Sequence, residues 1–391
     1  MRPLQLVLVS RRFWPLFGGA ERHLADLGAE LAARGHAVTV LTTAAQPGWS
    51  DEVAYRKMRV IRLAPTPHDF WATLGYLRKL ASRLRSQRDA IDLVCVSALR
   101  QEAHAAVRAL RNRVPVVLRL ESLGPHGDCH WQRTSRCGGR MIRRCRTADA
   151  VIAPSRVAAN ELAALGYVRQ RIVRIAPGTR PLERSPESRL SARAILAAVT
   201  PSMNLTPEAP MALFAGHFGR GRGKAGDGTS GLLELIPAWR RVLDRRPDAR
   251  LWLVGDGPLR HSLEDQLESW GVLGRVAMPG VFDHLDEIRQ AADLALEPRA
   301  EQGLSLGMIE SLAAGLPLIA ADGPGRRELF GGAARLLHPT AERIAASVLE
   351  LLDDPAAAAR LSLAGRDLAL QNHCLAQEAD EHLALFARLL E

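Results

Sequence analysis

The residues best suited to do chemistry lie in the stretch 297–310, which reads EPRAEQGLSLGMIE. Gly303 suits a tight turn, and helical spacing begins near Ser305. The free backbone N–H groups of a first helical turn, together with the helix dipole, favour an anion such as a diphosphate. Glu310 follows about one and a half turns further in. There its carboxylate can accept hydrogen bonds from ribose hydroxyls. The alternative is an ordinary loop and an amphipathic helix with a solvated glutamate. A second stretch, GRGRGKAGDG at 219–228, brings Arg220, Arg222 and Lys224 into a glycine-rich loop. Such cations can neutralise phosphate charge.

The elements that must hold these residues alternate. Residues 4–9 are an apolar run apart from Gln5, as expected of a strand buried on both faces. The pair Gly18-Gly19, a helix over 20–34 and a strand over 37–41 complete a βαβ unit. Strands over 91–96 and 114–120, a helix over 102–111 between them, and short strands at 150–152 and 172–175 extend it. From 177 to 210 the texture changes, with six prolines among many polar residues, and reads as an interdomain connection holding a short helix near 190–199. Strands over 211–215, 251–254, 276–278, 294–297 and 317–320 then alternate with helices over 232–243, 262–270 and 284–292. A further helix ends near 314, and the tail helix covers 376–390. The reading is α/β: two Rossmann-like, doubly wound parallel-sheet domains facing a cleft, with ligands at the strand C-termini. The expected boundaries are 1–180, a linker at 181–209, 210–370, and a helix at 371–391 returning to the first domain.

The stretch 297–310 resembles the signature of the family 4 retaining glycosyltransferases, which have the GT-B fold. That signature is Pro-Ser-x-x-Glu-Gly-Phe-Gly-x-x-x-x-Glu. Pro298 matches its Pro, Gln302 its first Glu, Gly303 its Gly, Leu304 its Phe, Ser305 its second Gly and Glu310 its last Glu. The likeness continues in order along the chain. Gly18-Gly19-Ala-Glu21 resembles the acceptor-side loop, and residues 148–155 resemble the segment before the domain crossing. Residues 177–179 stand where the family has Asn-Gly-Val, and residues 254–258 match the loop before the base-binding region. Residues 322–328 resemble the family's Asp-x-Gly-Gly-x-x-Glu loop.

The resemblance implies transfer of a sugar from a UDP- or GDP-linked donor, with retained anomeric configuration, to a saccharide, lipid-linked or small-molecule acceptor. It places the donor on His217, Arg220, Arg222, Lys224, Gly303, Leu304, Ser305, Leu306 and Glu310. Gln302, Glu310 and Glu121 are the candidates for catalysis. Gly18, Gly19, His126 and Asp128 are the candidates on the acceptor side. Three positions depart from the family. Gln302 replaces a glutamate and keeps hydrogen bonding without charge. His217 stands where the family has a phosphate-binding Arg. Glu121 stands where many members have a His. Two other readings therefore stay open: an inactive nucleotide-binding homologue serving as a partner subunit, or a nucleotide-sugar epimerase. A dinucleotide oxidoreductase is disfavoured, because neither glycine cluster completes Gly-x-Gly-x-x-Gly.

Composition narrows the partners. The chain has 391 residues, 47% hydrophobic and 24% charged, with a formal net charge of +10. A basic surface attracts nucleotide phosphates, acidic lipids or nucleic acid, but no nucleic-acid module is present. Residues 70–88 make a basic amphipathic helix with Trp71, which either lies on an anionic membrane or packs as an ordinary surface helix. No run is long and apolar enough to span a membrane, and the first strand lacks a signal-peptide cleavage pattern. The expected location is the cytoplasm, with peripheral contact at the inner face of the membrane. The spacing of Cys129, Cys137 and Cys145 is not a zinc pattern. No Asp-x-Asp motif is suitably placed, so neither a metal nor another cofactor is expected.

Overall fold

The computed structural model describes residues 2–16, 18–124, 127–219, 230–282, 284–300, 305–323 and 325–391. They form two compact units. Unit 1 is Met1–Gly178 together with Leu375–Glu391, and unit 2 is Thr179–Cys374.

Among the described residues, unit 1 carries eight strands: β1 Gln5–Val9, β2 Ala37–Ala44, β3 Glu52–Tyr55, β4 Met58–Pro65, β5 Leu93–Ser97, β6 Val116–Arg119, β7 Ala150–Ala153 and β8 Ile172–Arg174. Their order is β3-β4-β2-β1-β5-β6-β7-β8. Only β3 runs antiparallel, as the edge partner of β4. The central strand β1 shows why the sheet is buried on both sides. Val7 and Val9 enter one core, and Leu6 and Leu8 the other. This is the period-two alternation of a strand covered on both faces.

The helices of unit 1 are α1 Gly19–Ala33, α2 Phe70–Ser86, α3 Gln101–Leu110, α4 Asp128–Thr134, α5 Gly138–Cys145 and α6 Arg156–Ala164. Helices α2, α3, α5 and α6 cover one face through side chains such as Leu80, Ala106, Cys145 and Leu162. Helix α1 covers the other through Leu24, Leu27 and Leu31, beside Leu375, Ala379 and Phe386 from the C-terminal segment.

Unit 2 carries β9 Met211–Ala215, β10 Arg250–Val254, β11 Val276–Gly280, β12 Leu294–Glu297, β13 Leu318–Ala321 and β14 Arg335–Leu337, all parallel. Their order is β11-β10-β9-β12-β13-β14. The helices are α7 Pro186–Val199, α8 Ser230–Leu233, α9 Leu235–Leu243, α10 Arg260–Ser269, α11 Asp286–Ala291, α12 Leu306–Ala313, α13 Arg326–Phe330, α14 Ala341–Asp353 and α15 Pro355–Asn372. Helix α16, Leu375–Leu390, belongs to unit 1.

The stretch 181–209, expected as a linker, is part of the core of unit 2. Ser185 caps α7 in a capping box, with Pro186 at the first turn, a combination suited to a helix start. Ala192, Leu196, Met203, Leu205 and Ala209 then enter the unit 2 core. Arg193 is 1% exposed. It donates to Asp293 at 2.7 Å and to the Ala291 and Ala209 carbonyls at 3.0 and 2.7 Å. The chain passes between the units at two points. At these crossings Thr179 pairs with Cys374, and the Thr179 N–H donates to the His373 carbonyl at 2.8 Å.

Candidate functional site

Doubly wound sheets bind ligands where the strand order reverses, outside the carboxyl ends of the strands. In unit 2 the reversal falls between β9 and β12, and of the expected donor residues His217 follows β9 there while Ser305 and Leu306 open the helix after β12. His217 lies just past β9 and is exposed. Its carbonyl accepts from Arg299 Nη1 at 3.0 Å. Gly255, after β10, has φ +147, and a Cβ there would stand 1.9 Å from the Gly216 carbonyl oxygen. The two loops therefore pack backbone on backbone, and only glycine fits. Helix α12 begins against the same strand end, since a Cβ on Gly307 would lie 2.7 Å from the Ala215 oxygen.

Ser305 is the N-cap of α12. Its Oγ accepts from the Met308 N–H at 3.3 Å and donates to Glu297 Oε2 at 3.3 Å. Glu297 ends β12 and is 3% exposed. Burial raises its pKa, but Arg299, bonded to it at 2.7 and 2.5 Å, outweighs burial and holds it below the usual value. Arg326 donates to the carbonyls of Ala321 and Arg299 at 2.6 and 2.7 Å. It thereby ties the loop after β13 to the loop after β12. Leu306 opens α12. Glu310 is 8% exposed, and one of its oxygens accepts from Arg289 of α11. The expected ribose carboxylate is therefore already held in an ion pair. Arg220, Arg222, Lys224, Gln302, Gly303 and Leu304 lie outside the described residues.

In unit 1 the order reverses between β1 and β5. Arg11, after β1, donates to Glu102 at 2.6 Å and to Gln101 at 3.0 Å, joining that loop to the start of α3. Gly18 is the N-cap of α1 and Gly19 its first residue. A Cβ on Gly18 would meet Glu21 Oε2 at 2.3 Å, so the Glu21 carboxylate lies over the helix start. Glu121 follows β6. Its Oε1 accepts from Ser97 Oγ at 2.8 Å and lies 3.3 Å from Arg119 Nε. Asp128, expected on the acceptor side, is 1% exposed. It accepts from the Glu121 N–H at 3.0 Å and from Arg100 at 3.2 Å. Its carboxylate thereby ties Arg100 to the Glu121 backbone. His126 lies outside the described residues.

Sequence reading missed the groups behind Glu121. Arg119 is 6% exposed, and its Nη2 donates to His23 Nδ1 at 2.9 Å. Burial opposes its charge, but Glu121 and Glu378 outweigh that and raise its pKa. His23 Nε2 is 2.7 Å from Glu378 Oε2, which also accepts from the Gly178 N–H at 2.8 Å. A single polar chain thus runs from Glu121 through Arg119 and His23 to Glu378 and Gly178. The available signal was an arginine interrupting an apolar strand run, VVLRL, and a Glu and a His four residues apart on the tail helix.

Two parallel-sheet α/β domains with these switch-point sites define the GT-B class. The family "Glycosyltransferase Family 4" matches residues 17–181, and "Glycosyl transferases group 1" matches residues 216–354. The chain belongs to the family 4 glycosyltransferases. A glycogen synthase of Mycobacterium tuberculosis is 27% identical over 397 residues, covering 93% of this chain and 89% of that protein. A GDP-mannose-dependent alpha-(1-6)-phosphatidylinositol dimannoside mannosyltransferase of the same organism is 26% identical, covering 81% and 79%. The sulfoquinovosyl transferase SQD2 of Arabidopsis thaliana is 27% identical over 45% of this chain, and the match spans 31% of its own length. The match to the Bacillus subtilis glycosyltransferase EpsD spans 26% of that protein. Among solved structures, a sucrose-phosphate synthase from Thermosynechococcus elongatus superposes with a TM-score of 0.75 at 21% identity, covering 99% of each chain. Anabaena HepE in complex with UDP and glucose does so with 0.75 at 18% identity, covering 98% of this chain and 100% of that one. Among the described residues, no helix is long and apolar enough to cross a membrane.

Proposed function

We propose that this chain is a retaining hexosyltransferase that takes a UDP- or GDP-sugar on unit 2 and a saccharide or lipid-linked acceptor on unit 1. One observation carries the donor half. The start of α12, capped by Ser305 and bearing Glu310, stands at the switch point of the unit 2 sheet, beside the end of β9. Free N–H groups there suit the diphosphate, and Glu310 is the group for the ribose hydroxyls. His217, Arg220, Arg222 and Lys224 supply further donors to the phosphates. Leu306 and the segment 302–304 frame the sugar.

In this reading the acceptor hydroxyl attacks the anomeric carbon from the face the phosphate leaves. The carbon–phosphate oxygen bond breaks as the new glycosidic bond forms on the same face. The hydroxyl proton passes to the departing phosphate oxygen, and a nucleoside diphosphate leaves. No enzyme nucleophile is required, and the protein contributes positioning and charge. Gln302 hydrogen-bonds the donor sugar. Glu121, held by Ser97 and Arg119, receives an acceptor hydroxyl. The phosphate charge is met by side chains and a helix start, so the reaction needs no metal. An anionic membrane surface is the proposed setting for a lipid-linked acceptor. Support for it comes from α2, which buries Tyr76, Leu80 and Leu84 while leaving Phe70 and Trp71 70% and 74% exposed.

The test is release of UDP or GDP from a panel of nucleotide sugars, with and without saccharide acceptors, in EDTA. Turnover with product of retained configuration is expected. Nucleotide binding without turnover for any donor and acceptor would instead identify the inactive homologue. Interconversion of the free donor would identify an epimerase.

A further inference from the structure

Helices α3 and α5 pack together on unit 1, with Ala103, Ala106 and Val107 of α3 and Cys145 of α5 in one core. Their outer residues are basic. His104 and Arg108 stand one turn apart on α3, and Arg140 and Arg144 one turn apart on α5. His104 is half-buried, and its Nδ1 is shielded from solvent without a hydrogen-bond partner. Burial lowers its pKa, and the charges of Arg144, Arg108 and Arg140 lower it further, so all three guanidinium groups bear on one ring.

Among the described residues no acid forms an ion pair with Arg108, Arg140 or Arg144. Residues 101–147 contain ten arginines and three carboxylates, Glu102, Glu121 and Asp128. Those three pair with Arg11, Arg119 and Arg100. Like charges gathered around a half-buried ring raise the energy of the empty protein. An anion with several oxygens relieves that and accepts from both helices at once. Helix-mounted arginines at i and i+4 present their groups to the same side.

We propose that Arg108, Arg140, Arg144 and His104 form a phosphate-binding site on the α3–α5 face, distinct from the donor site on unit 2. The ligand is a phosphate monoester or diester, and two sources share that chemistry: a soluble phosphate and a phospholipid headgroup.

The experiment uses the full chain and two readouts. Phosphate binding is measured by calorimetry, and the His104 ring is followed by NMR, assigned with His104→Gln. One arm titrates inorganic phosphate. The other adds vesicles of phosphatidylcholine alone or with phosphatidylglycerol. A His104 shift with inorganic phosphate assigns a soluble ligand. A shift only with phosphatidylglycerol vesicles assigns a headgroup. In either case R140E/R144E should weaken binding at least tenfold. The control R143E, which alters an exposed residue of the same helix, should not. If the double variant does not fold, R108Q and His104→Gln should each weaken binding several-fold. The proposal is overturned if neither ligand moves His104, if the variants bind as the parent does, or if R143E loses as much. That last result would mean diffuse charge rather than a site.

Discussion

His23 and Glu378 meet at 2.7 Å across 355 residues of sequence, both almost fully buried. The contact fastens α16 to α1 within unit 1, and the same Glu378 oxygen accepts the Gly178 N–H at the point where the chain leaves that unit. Removing one partner of a buried pair leaves the other uncompensated, at a cost on the order of 3–5 kcal/mol. Glu378→Gln should therefore destabilise unit 1 by about 3 kcal/mol while leaving nucleotide affinity on unit 2 unchanged. Denaturant titration beside nucleotide calorimetry checks both parts. An unaltered unfolding midpoint would remove the structural role assigned to Glu378.

Acid should weaken unit 1 in two steps of the same sign. Burial, opposed in part by Glu378, lowers the His382 pKa from 6.5 to about 4. The unfolded chain then binds a proton there that the folded one does not. The stability this group contributes is fully present above pH 6.5 and is lost as pH falls toward about 4. For Glu378, burial raises the pKa, but His23 and Arg119 hold it down to about 2. Its contribution is present above pH 4.5 and is lost as pH falls through about 2. Melting temperature measured from pH 8 to pH 3 should fall throughout the acid range. His382→Asn should flatten the upper step. An unchanged slope in that variant would assign the upper step to other groups.

Glu310→Ala should abolish nucleotide diphosphate binding. It would also leave the buried Arg289 with Asp286, 3.6 Å away, but without Glu310, so some loss of unit 2 stability accompanies it. Glu310→Gln separates the two effects, because the amide oxygen can still accept from Arg289. Its nucleotide affinity should drop tenfold or more, about 1.4 kcal/mol, with little change in melting temperature. Equal affinities for parent and Gln variant would sink the assignment. Gln302→Glu, which restores the family's residue, should retain activity.

Glu121→Gln should lower kcat/KM for the acceptor at least tenfold and leave the donor dissociation constant unchanged. Arg119→Lys should act in the same direction by loosening Glu121, and its pH–rate profile should shift. A change in donor binding instead would mean the network acts elsewhere.

Phe70 and Trp71 pack edge to face with ring centroids 5.4 Å apart, exposed at the start of α2. If α2 rests on a membrane, replacing both by Ala should cut sedimentation with anionic vesicles about tenfold, in line with the apolar area removed. Trp71 fluorescence should shift blue on vesicle addition in the parent. Equal sedimentation of both proteins would leave α2 an ordinary surface helix.

The parallel strands β4 and β14 were not foreseen, but the central parallel strands were legible because they are buried on both faces and read as mostly apolar runs. QLVLV, MALFA and RLWLV show this directly. The start of α12 was legible because Gly303, the onset of helical spacing near Ser305 and a downstream glutamate fall close together in sequence. The hairpin of β3 and β4 escaped notice, since β3 is a short edge strand with no buried run. The short helices α4 and α5 escaped because seven and eight residues are too few to show a clear helical period. In the 181–209 stretch the helix near 190–199 was legible, but prolines made the rest read as a linker and hid the helix start, although the Ser185–Pro186 pair is itself a helix-start signal. The links from Arg119 to His23 and on to Glu378 were missed for a simpler reason: they join residues 96 and 355 positions apart, and packing of α16 against α1 brings them together.

Because unit 1 is closed by α16, its assembly is out of step with translation. A ribosome making this chain completes all of Thr179–Cys374 before Leu375–Leu390 exists. Until then the nascent N-terminal domain carries His23 without Glu378, Arg119 with Glu121 as its acidic partner but not Glu378, and apolar residues of α1 without the cover of Leu375, Ala379 and Phe386. That domain waits, unfinished, for a segment encoded about 200 codons downstream of its own first 178 residues.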